Sequence, residues 1–154
     1  MSSVLVVAAW ISLAVHAGAL TWIDARTHRL PNRWVASCAA LGVVLLGLAG
    51  WMAGDLTTVT RGLLVGTGAA LVFLVIHLCG GMGMGDVKYA WVLGFYLGTL
   101  SADAAWWGLW LSFALAAAVV VARRILRYTP GRRIPFGPYM TVGSAIASTV
   151  FVLP

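Results

Sequence analysis

The chain of 154 residues is 62% hydrophobic and only 9% charged, with a mean hydropathy of +0.97. Ordinary soluble domains carry roughly a quarter charged residues, so this composition excludes a water-soluble globule. Ten basic residues, nine Arg and Lys88, stand against four acids, all of them Asp. On a membrane protein such an excess reports the side of the bilayer rather than nucleic-acid binding.

At about 20 apolar residues per crossing, the chain holds six spans with short loops. It reads as an all-α polytopic membrane protein, a single integral-membrane domain over residues 1–154 with no soluble domain. In chain order the spans are Val4–Ile23, Trp34–Ala53, Gly62–Cys79, Val87–Ala102, Ala104–Ala122 and Tyr139–Pro154. The first begins at the N-terminus without a basic flank or a cleavage site, so it reads as a permanent helix rather than a signal peptide. The fourth and sixth are short for a crossing. The loops orient the set. Arg26, Arg29 and Arg33 lie in the first loop, Lys88 follows the third, and Arg123, Arg124, Arg127, Arg132 and Arg133 lie in the fifth; only Arg61 belongs to an even loop. The positive-inside rule then places the odd loops in the cytoplasm and both termini outside, as in an inner-membrane protein. Trp22 and Trp34 at one level and Trp51, Trp106 and Trp107 at the other fit interfacial belts. Cys38 and Cys79, in apolar runs without metal spacing, read as small buried hydrophobes.

An acid at the edge of a span is costly and points to function. Asp55 and Asp103 fall in short outer loops and read as turn or cap residues. Asp24 and Asp86 each stand where a span meets a cytoplasmic loop, two complete crossings apart, so parity returns them to one face. Two carboxylates held together share a proton. The ionised member can take a proton from water while the protonated one donates to a carbonyl or leaving amine. No nucleophilic triad, HExxH or metal-ligand set competes for that role. Spacing alone leaves another reading open, with Asp24 as an interfacial partner of Arg26 or Arg29 and Asp86 as a helix N-cap before Val87-Lys88-Tyr89. Ahead of Asp86, Gly80-Gly81-Met82-Gly83-Met84-Gly85 puts four glycines in six residues. Such a segment lets a peptide strand approach the backbone beside the carboxylate.

Three segments together resemble the prepilin peptidases, polytopic aspartyl peptidases of the Gly-x-Gly-Asp type. Asp24 is followed by Leu30-Pro31-Asn32, similar to the turn after that family's first aspartate. Gly83-Met84-Gly85-Asp86-Val87-Lys88 is similar to the motif around its second. Ile134-Pro135-Phe136-Gly137-Pro138 resembles the turn before its last helix. The resemblance implies removal of the short basic leader of type IV pilin-like precursors at the cytoplasmic membrane face, with Asp24 and Asp86 as the catalytic pair. It makes Gly83 and Gly85 the backbone around the second aspartate. Pro31, Asn32, Pro135, Phe136, Gly137 and Pro138 become positioning elements, and Lys88 either holds negative charge near the pair or snorkels to the interface. Larger members add a cytoplasmic insert with paired cysteines and methylate the new N-terminus using S-adenosylmethionine. This chain lacks that insert, which implies the short form found with Flp/Tad pili or archaeal preflagellins, a peptidase without methyltransferase activity. The related presenilin group has Tyr before its first Asp, where this chain has Trp22-Ile23. No cofactor and no metal are expected; the partners are a pilin-like precursor and membrane lipids, with no nucleic acid. The basic loops would repel a basic leader unless their arginines face anionic headgroups.

Two other classes remain in view. A small transporter or channel would use His16 and His77 in the spans as a relay. A non-catalytic pilus-assembly component would need only close helix packing through Gly62, Gly66 and Gly68.

Overall fold

The computed structural model describes residues 2–126 and 135–152 and is all-helical there, with no strand. Six helices follow in order: α1 Ser2–Thr27, α2 Asn32–Ala53, α3 Thr57–Leu78, α4 Met84–Leu100, α5 Ala102–Ile125 and α6 Gly137–Val152. Four of them, α1, α2, α3 and α5, are long and apolar enough to cross a bilayer, with mean hydropathies of 1.9 to 2.0. Together with the family identified below, they make this a multi-pass membrane protein. Of the expected loop residues, Arg127, Arg132, Arg133 and Ile134 lie outside the described residues, as does Pro154.

The helices pair as antiparallel hairpins, α1 with α2, α3 with α4 and α5 with α6, and α4 runs through the middle against α2, α3, α5 and α6. Apolar residues cover every side of each helix because lipid is as acceptable a neighbour as protein. Accordingly Trp22, Trp51, Trp106 and Trp107 are all more than half exposed, as interfacial residues would be, and Trp34 is exposed as well.

Helix α4 departs from the expected span. It starts three residues before Val87 and stops at Leu100, because Ser101 turns extended and caps α5 by accepting the Ala104 N–H at 2.9 Å. Its 17 residues make about 25 Å of helix, short of a hydrocarbon core of roughly 30 Å. The deficit is tolerable because α4 is enclosed by protein: Tyr89, Val92, Phe95 and Tyr96 are all within 1% of full burial. Its last carbonyls would be orphaned there. Arg61 on α3 satisfies them, donating Nε to the Gly98 oxygen at 2.8 Å and Nη2 to those of Thr99 and Leu100 at 2.7 and 2.8 Å. The basic residue that breaks the charge asymmetry is thus a helix cap, with its cation at the negative end of the α4 dipole.

Close α3–α4 packing rests on two facing glycine pairs. A Cβ on Gly66 would lie 2.8 Å from the Trp91 carbonyl oxygen, and the Gly94 and Gly98 positions approach the Cα atoms of Gly66 and Gly62 at 3.0 Å. Gly62-xxx-Gly66 therefore lies antiparallel against Gly94-xxx-Gly98, an arrangement that lets backbones touch. Gly68 takes no part: nothing lies within 4 Å of its added Cβ. Gly66→Val is expected to cost about 1–3 kcal/mol from overpacking against backbone that cannot move aside, read as a lowered Tm in detergent. An unchanged Tm would mean that the hairpin is looser than this contact requires.

Candidate active site

At the end of the bundle that carries Arg26, Arg29, Arg33 and Lys88, four chain segments converge, and most of the residues singled out in the sequence lie among them. Helix α1 reaches Thr27 and ends where His28 turns left-handed, with φ of 51°, its N–H bonded to the Asp24 carbonyl at 2.9 Å. Asp24 sits one turn before that end and is buried at 4% exposure. Its Oδ2 accepts the Gly137 backbone N–H at 2.9 Å. Gly137 opens α6, where the N–H groups have no helical partner and the helix dipole is positive, so a carboxylate is well placed there. An added Cβ would stand 2.8 Å from Asp24 Oδ2, so any larger residue here must displace the carboxylate.

Arg26 does not pair with Asp24. Its guanidinium lies 4.0 Å over the Trp22 ring, and Trp22 is 62% exposed, so the pair faces outward.

Asp86 is not an N-cap. Helix α4 begins at Met84 and Gly83 is the extended cap residue, so Asp86 occupies the third helical position. Its Oδ2 accepts the Gly83 N–H at 3.2 Å, and its own N–H donates to the Gly83 carbonyl at 3.1 Å. This is the reaching-back half of a capping box. Asp86 lies on the loop side of the apolar run that starts at Val87. Burial pushes its carboxyl up to about 6, the Gly83 N–H pulls it back, and the nearby charge of Asp24 raises it further.

The glycine segment works differently from expectation. Positive φ is confined to Gly80, at 78°, which reverses the chain after α3. His77 Nδ1 meets the Met82 carbonyl oxygen at 2.8 Å; since a carbonyl only accepts, the ring donates and braces the loop. The open face of Gly85 is filled by Leu30, whose Cβ would be 3.1 Å from an added Cβ, so this close approach admits the Leu30-Pro31-Asn32 turn rather than a peptide strand. Lys88 Nζ donates to Asn32 Oδ1 at 3.1 Å, tying α4 to the first turn of α2. Pro31 caps α2, its carbonyl accepting the Trp34 and Val35 N–H groups at 3.1 and 3.2 Å.

Pro135 and Phe136 lead into α6, and Pro138 stands in its first turn, where a missing N–H costs nothing. Phe136 packs between Phe73 of α3 and Phe113 of α5, with ring centroids 6.1 and 5.3 Å away. That anchor sets where Gly137 presents its N–H.

Sequence reasoning missed a group one turn deeper. Thr21 donates to the Thr141 hydroxyl at 2.9 Å, Tyr89 meets the same oxygen at 2.8 Å, and Thr141 donates to the Gly137 carbonyl at 3.1 Å. The available signal was position: hydroxyls three residues before Asp24, three after Asp86 and four after Gly137, the spacing that shares a helix face. His16 is unconnected to this group. Its Nδ1 donates to the Ser12 carbonyl at 2.8 Å and its Nε2 lies 3.1 Å from Ser37 Oγ, a local packing arrangement between α1 and α2. Cys38 is buried as expected, but Cys79 is exposed. Among the described residues no cluster of His, Cys, Asp or Glu could hold a metal.

The chain is 30% identical over 134 residues to the prepilin leader peptidase/N-methyltransferase of Neisseria gonorrhoeae, an alignment covering 84% of this chain and 44% of that protein. The chain thus spans less than half the length of this relative. No solved structure matches it. A match to the type IV leader peptidase family extends over residues 11–151, nearly the whole chain and every element of the converged site, and the chain belongs to that family.

Proposed function

We propose that this protein is an aspartic-type endopeptidase that removes the short basic leader from type IV pilin-like precursors at the cytoplasmic face of the inner membrane, with Asp24 and Asp86 as the catalytic pair. The observation that carries the reading is the convergence of the Asp24, Leu30-Pro31-Asn32, Gly83–Lys88 and Pro135–Pro138 segments at one end of a membrane bundle. Asp86 holds the shared proton and gives it to the scissile carbonyl oxygen, while Asp24, oriented by the Gly137 N–H, draws a proton from the attacking water. As the C–N bond breaks, Asp24 passes that proton to the leaving amine and a gem-diol hydroxyl returns one to Asp86. Water, the two carboxyls and the peptide balance without a metal or cofactor.

The peptide would enter beside the ends of α1 and α4 that carry the two aspartates. Among the described residues no Cα of one comes within 8 Å of a Cα of the other, while α2 and α6 flank both. A precursor with a basic leader and an apolar helix presents its scissile bond at the membrane surface, level with these carboxyls. The proposed reaction ends at cleavage, without methylation of the new N-terminus, as the resemblance to the short form implies.

Co-expression with a pilin-like precursor tests this. Cleavage is expected to leave a product starting near the apolar helix, with the intact mass of an unmethylated N-terminus. A precursor left whole across several candidates overturns the reading, and a methylated product overturns the assignment of cleavage alone. The transporter reading finds no support in His16 and His77, which are engaged locally and separately.

A further inference from the structure

We propose that Thr141 is a positioning residue for the dyad, its hydroxyl joining α1, α4 and α6 one turn below the two carboxyls. This rests on the peptidase reading for its catalytic consequence but not for its structural one. The hydroxyl has one proton and two acceptor positions. The proton goes to the Gly137 carbonyl at 3.1 Å, and the acceptor positions take Thr21 at 2.9 Å and Tyr89 at 2.8 Å, which makes Tyr89 the donor. All bonding capacity is used.

The connection matters because the backbones of the two helices bearing the aspartates stay apart, with no Cα of one within 8 Å of a Cα of the other among the described residues. Near the aspartates, α6 supplies a hydrogen-bonded link between the two helices. From Asp86 the path runs one turn along α4 to Tyr89, across to Thr141, then through the Gly137 backbone, from its carbonyl across Cα to its N–H, to Asp24 Oδ2 at 2.9 Å. On the far side, an edge contact of Trp10 with Tyr96, centroids 5.6 Å apart, also links α1 to α4. Tyr89 is fully buried, so its hydroxyl has no water to turn to if Thr141 Oγ1 is lost, and a buried unpaired donor is costly. The cheapest relief is a shift of α6 relative to α1 and α4, which carries the Gly137 N–H away from Asp24. The hydroxyl group thus converts packing of three helices into a set position for one carboxylate oxygen.

The test uses Thr141→Val, which keeps the shape and removes the hydroxyl, with Thr141→Ser as the conservative variant and Tyr89→Phe as a second route to the same contact. In detergent with a pilin-like precursor, Thr141→Val is expected to lower kcat by ~10²-fold, the scale of a misplacement near 1 Å, with KM within about 2-fold. Thr141→Ser should recover kcat to within about 3-fold, and Tyr89→Phe should add little on top of Thr141→Val, as coupled neighbours do. A purely structural role would instead lower Tm and active fraction together and leave kcat per folded molecule unchanged; that result overturns the proposal.

A second measurement is independent of activity. Spin labels at the exposed positions Ala25→Cys and Met84→Cys, in a Cys79→Ser background, report the spacing of the α1 and α4 ends. Wild type and Thr141→Ser are expected to show the same narrow distribution and Thr141→Val a displaced or broadened one. An unchanged distribution in Thr141→Val overturns the proposal whatever the activity. A changed distribution in a protein whose wild type cleaves no precursor retains the coupling and removes the peptidase reading.

Discussion

Asp24→Asn and Asp86→Asn are each expected to lower precursor cleavage by about 10³-fold or more, because general acid–base catalysis by either carboxyl contributes on the order of 10²–10⁴-fold and neither amide can titrate. Both variants should insert and retain helix content, since Asn keeps the size and an acceptor oxygen for the Gly137 or Gly83 N–H. Either variant cleaving like wild type would make that aspartate structural and end the two-carboxyl mechanism.

Stability should move in the opposite direction for Asp86. Burial pushes its carboxyl up to about 6 in the folded protein, from an ordinary 3.8. The folded state therefore binds the proton more tightly than the unfolded one. That contribution to stability is fully present below about pH 4 and is lost as pH rises through about 6. At pH 8 the folded protein carries a desolvated charge that Asp86→Asn removes. The variant is expected to be more stable there by on the order of 2–3 kcal/mol, with the difference vanishing near pH 4. Thermal melts at both pH values check the sign; a variant less stable than wild type at pH 8 would show that the carboxylate is held by favourable contacts instead. On the proposed mechanism the same proton is the one donated, so cleavage is expected to fall as pH rises past the upper macroscopic pKa of the pair.

Gly137→Ala carries the second large effect. Its Cβ would stand 2.8 Å from Asp24 Oδ2 and 3.3 Å from Asp24 Cβ and Cγ, so the carboxylate must turn or α6 must back away. A loss of ~10²-fold in kcat is expected from a displacement of that size, without a matching loss of stability, because alanine favours the helix start more than glycine does. Gly68→Ala is the control, with open space around its added Cβ and no expected change in activity. A fully active Gly137→Ala would mean that the N–H contact to Asp24 is dispensable for positioning.

Much of this site was legible as sequence because its chemistry is concentrated in few residues. With four acids in the chain, parity of the spans was enough to bring Asp24 and Asp86 to one end, and the Leu30-Pro31-Asn32 and Pro135–Pro138 turns marked the loops beside them. The six helices followed from apolar length, which a bilayer imposes on any crossing segment. Hydropathy measures only how much apolar chain there is, so it misplaced the ends of α4, which are set by Gly83 at one side and by Ser101 and Arg61 at the other.

What tertiary structure alone decided is which groups each residue meets. The sequence contains Gly85, Leu30, Lys88 and Asn32 but not the contacts that pair them, because the partners come from different hairpins. It marked Gly137 as part of a turn, whereas the need for glycine arises from an aspartate 113 residues away along the chain. Thr21, Tyr89 and Thr141 read as isolated polar residues in apolar spans and become one hydroxyl group only when α6 lies between α1 and α4. Local composition and the bilayer determined the helices, their number and the end at which the acids lie. Hydrogen bonds between segments far apart in the chain, short-ranged and directional, decided how those acids are held.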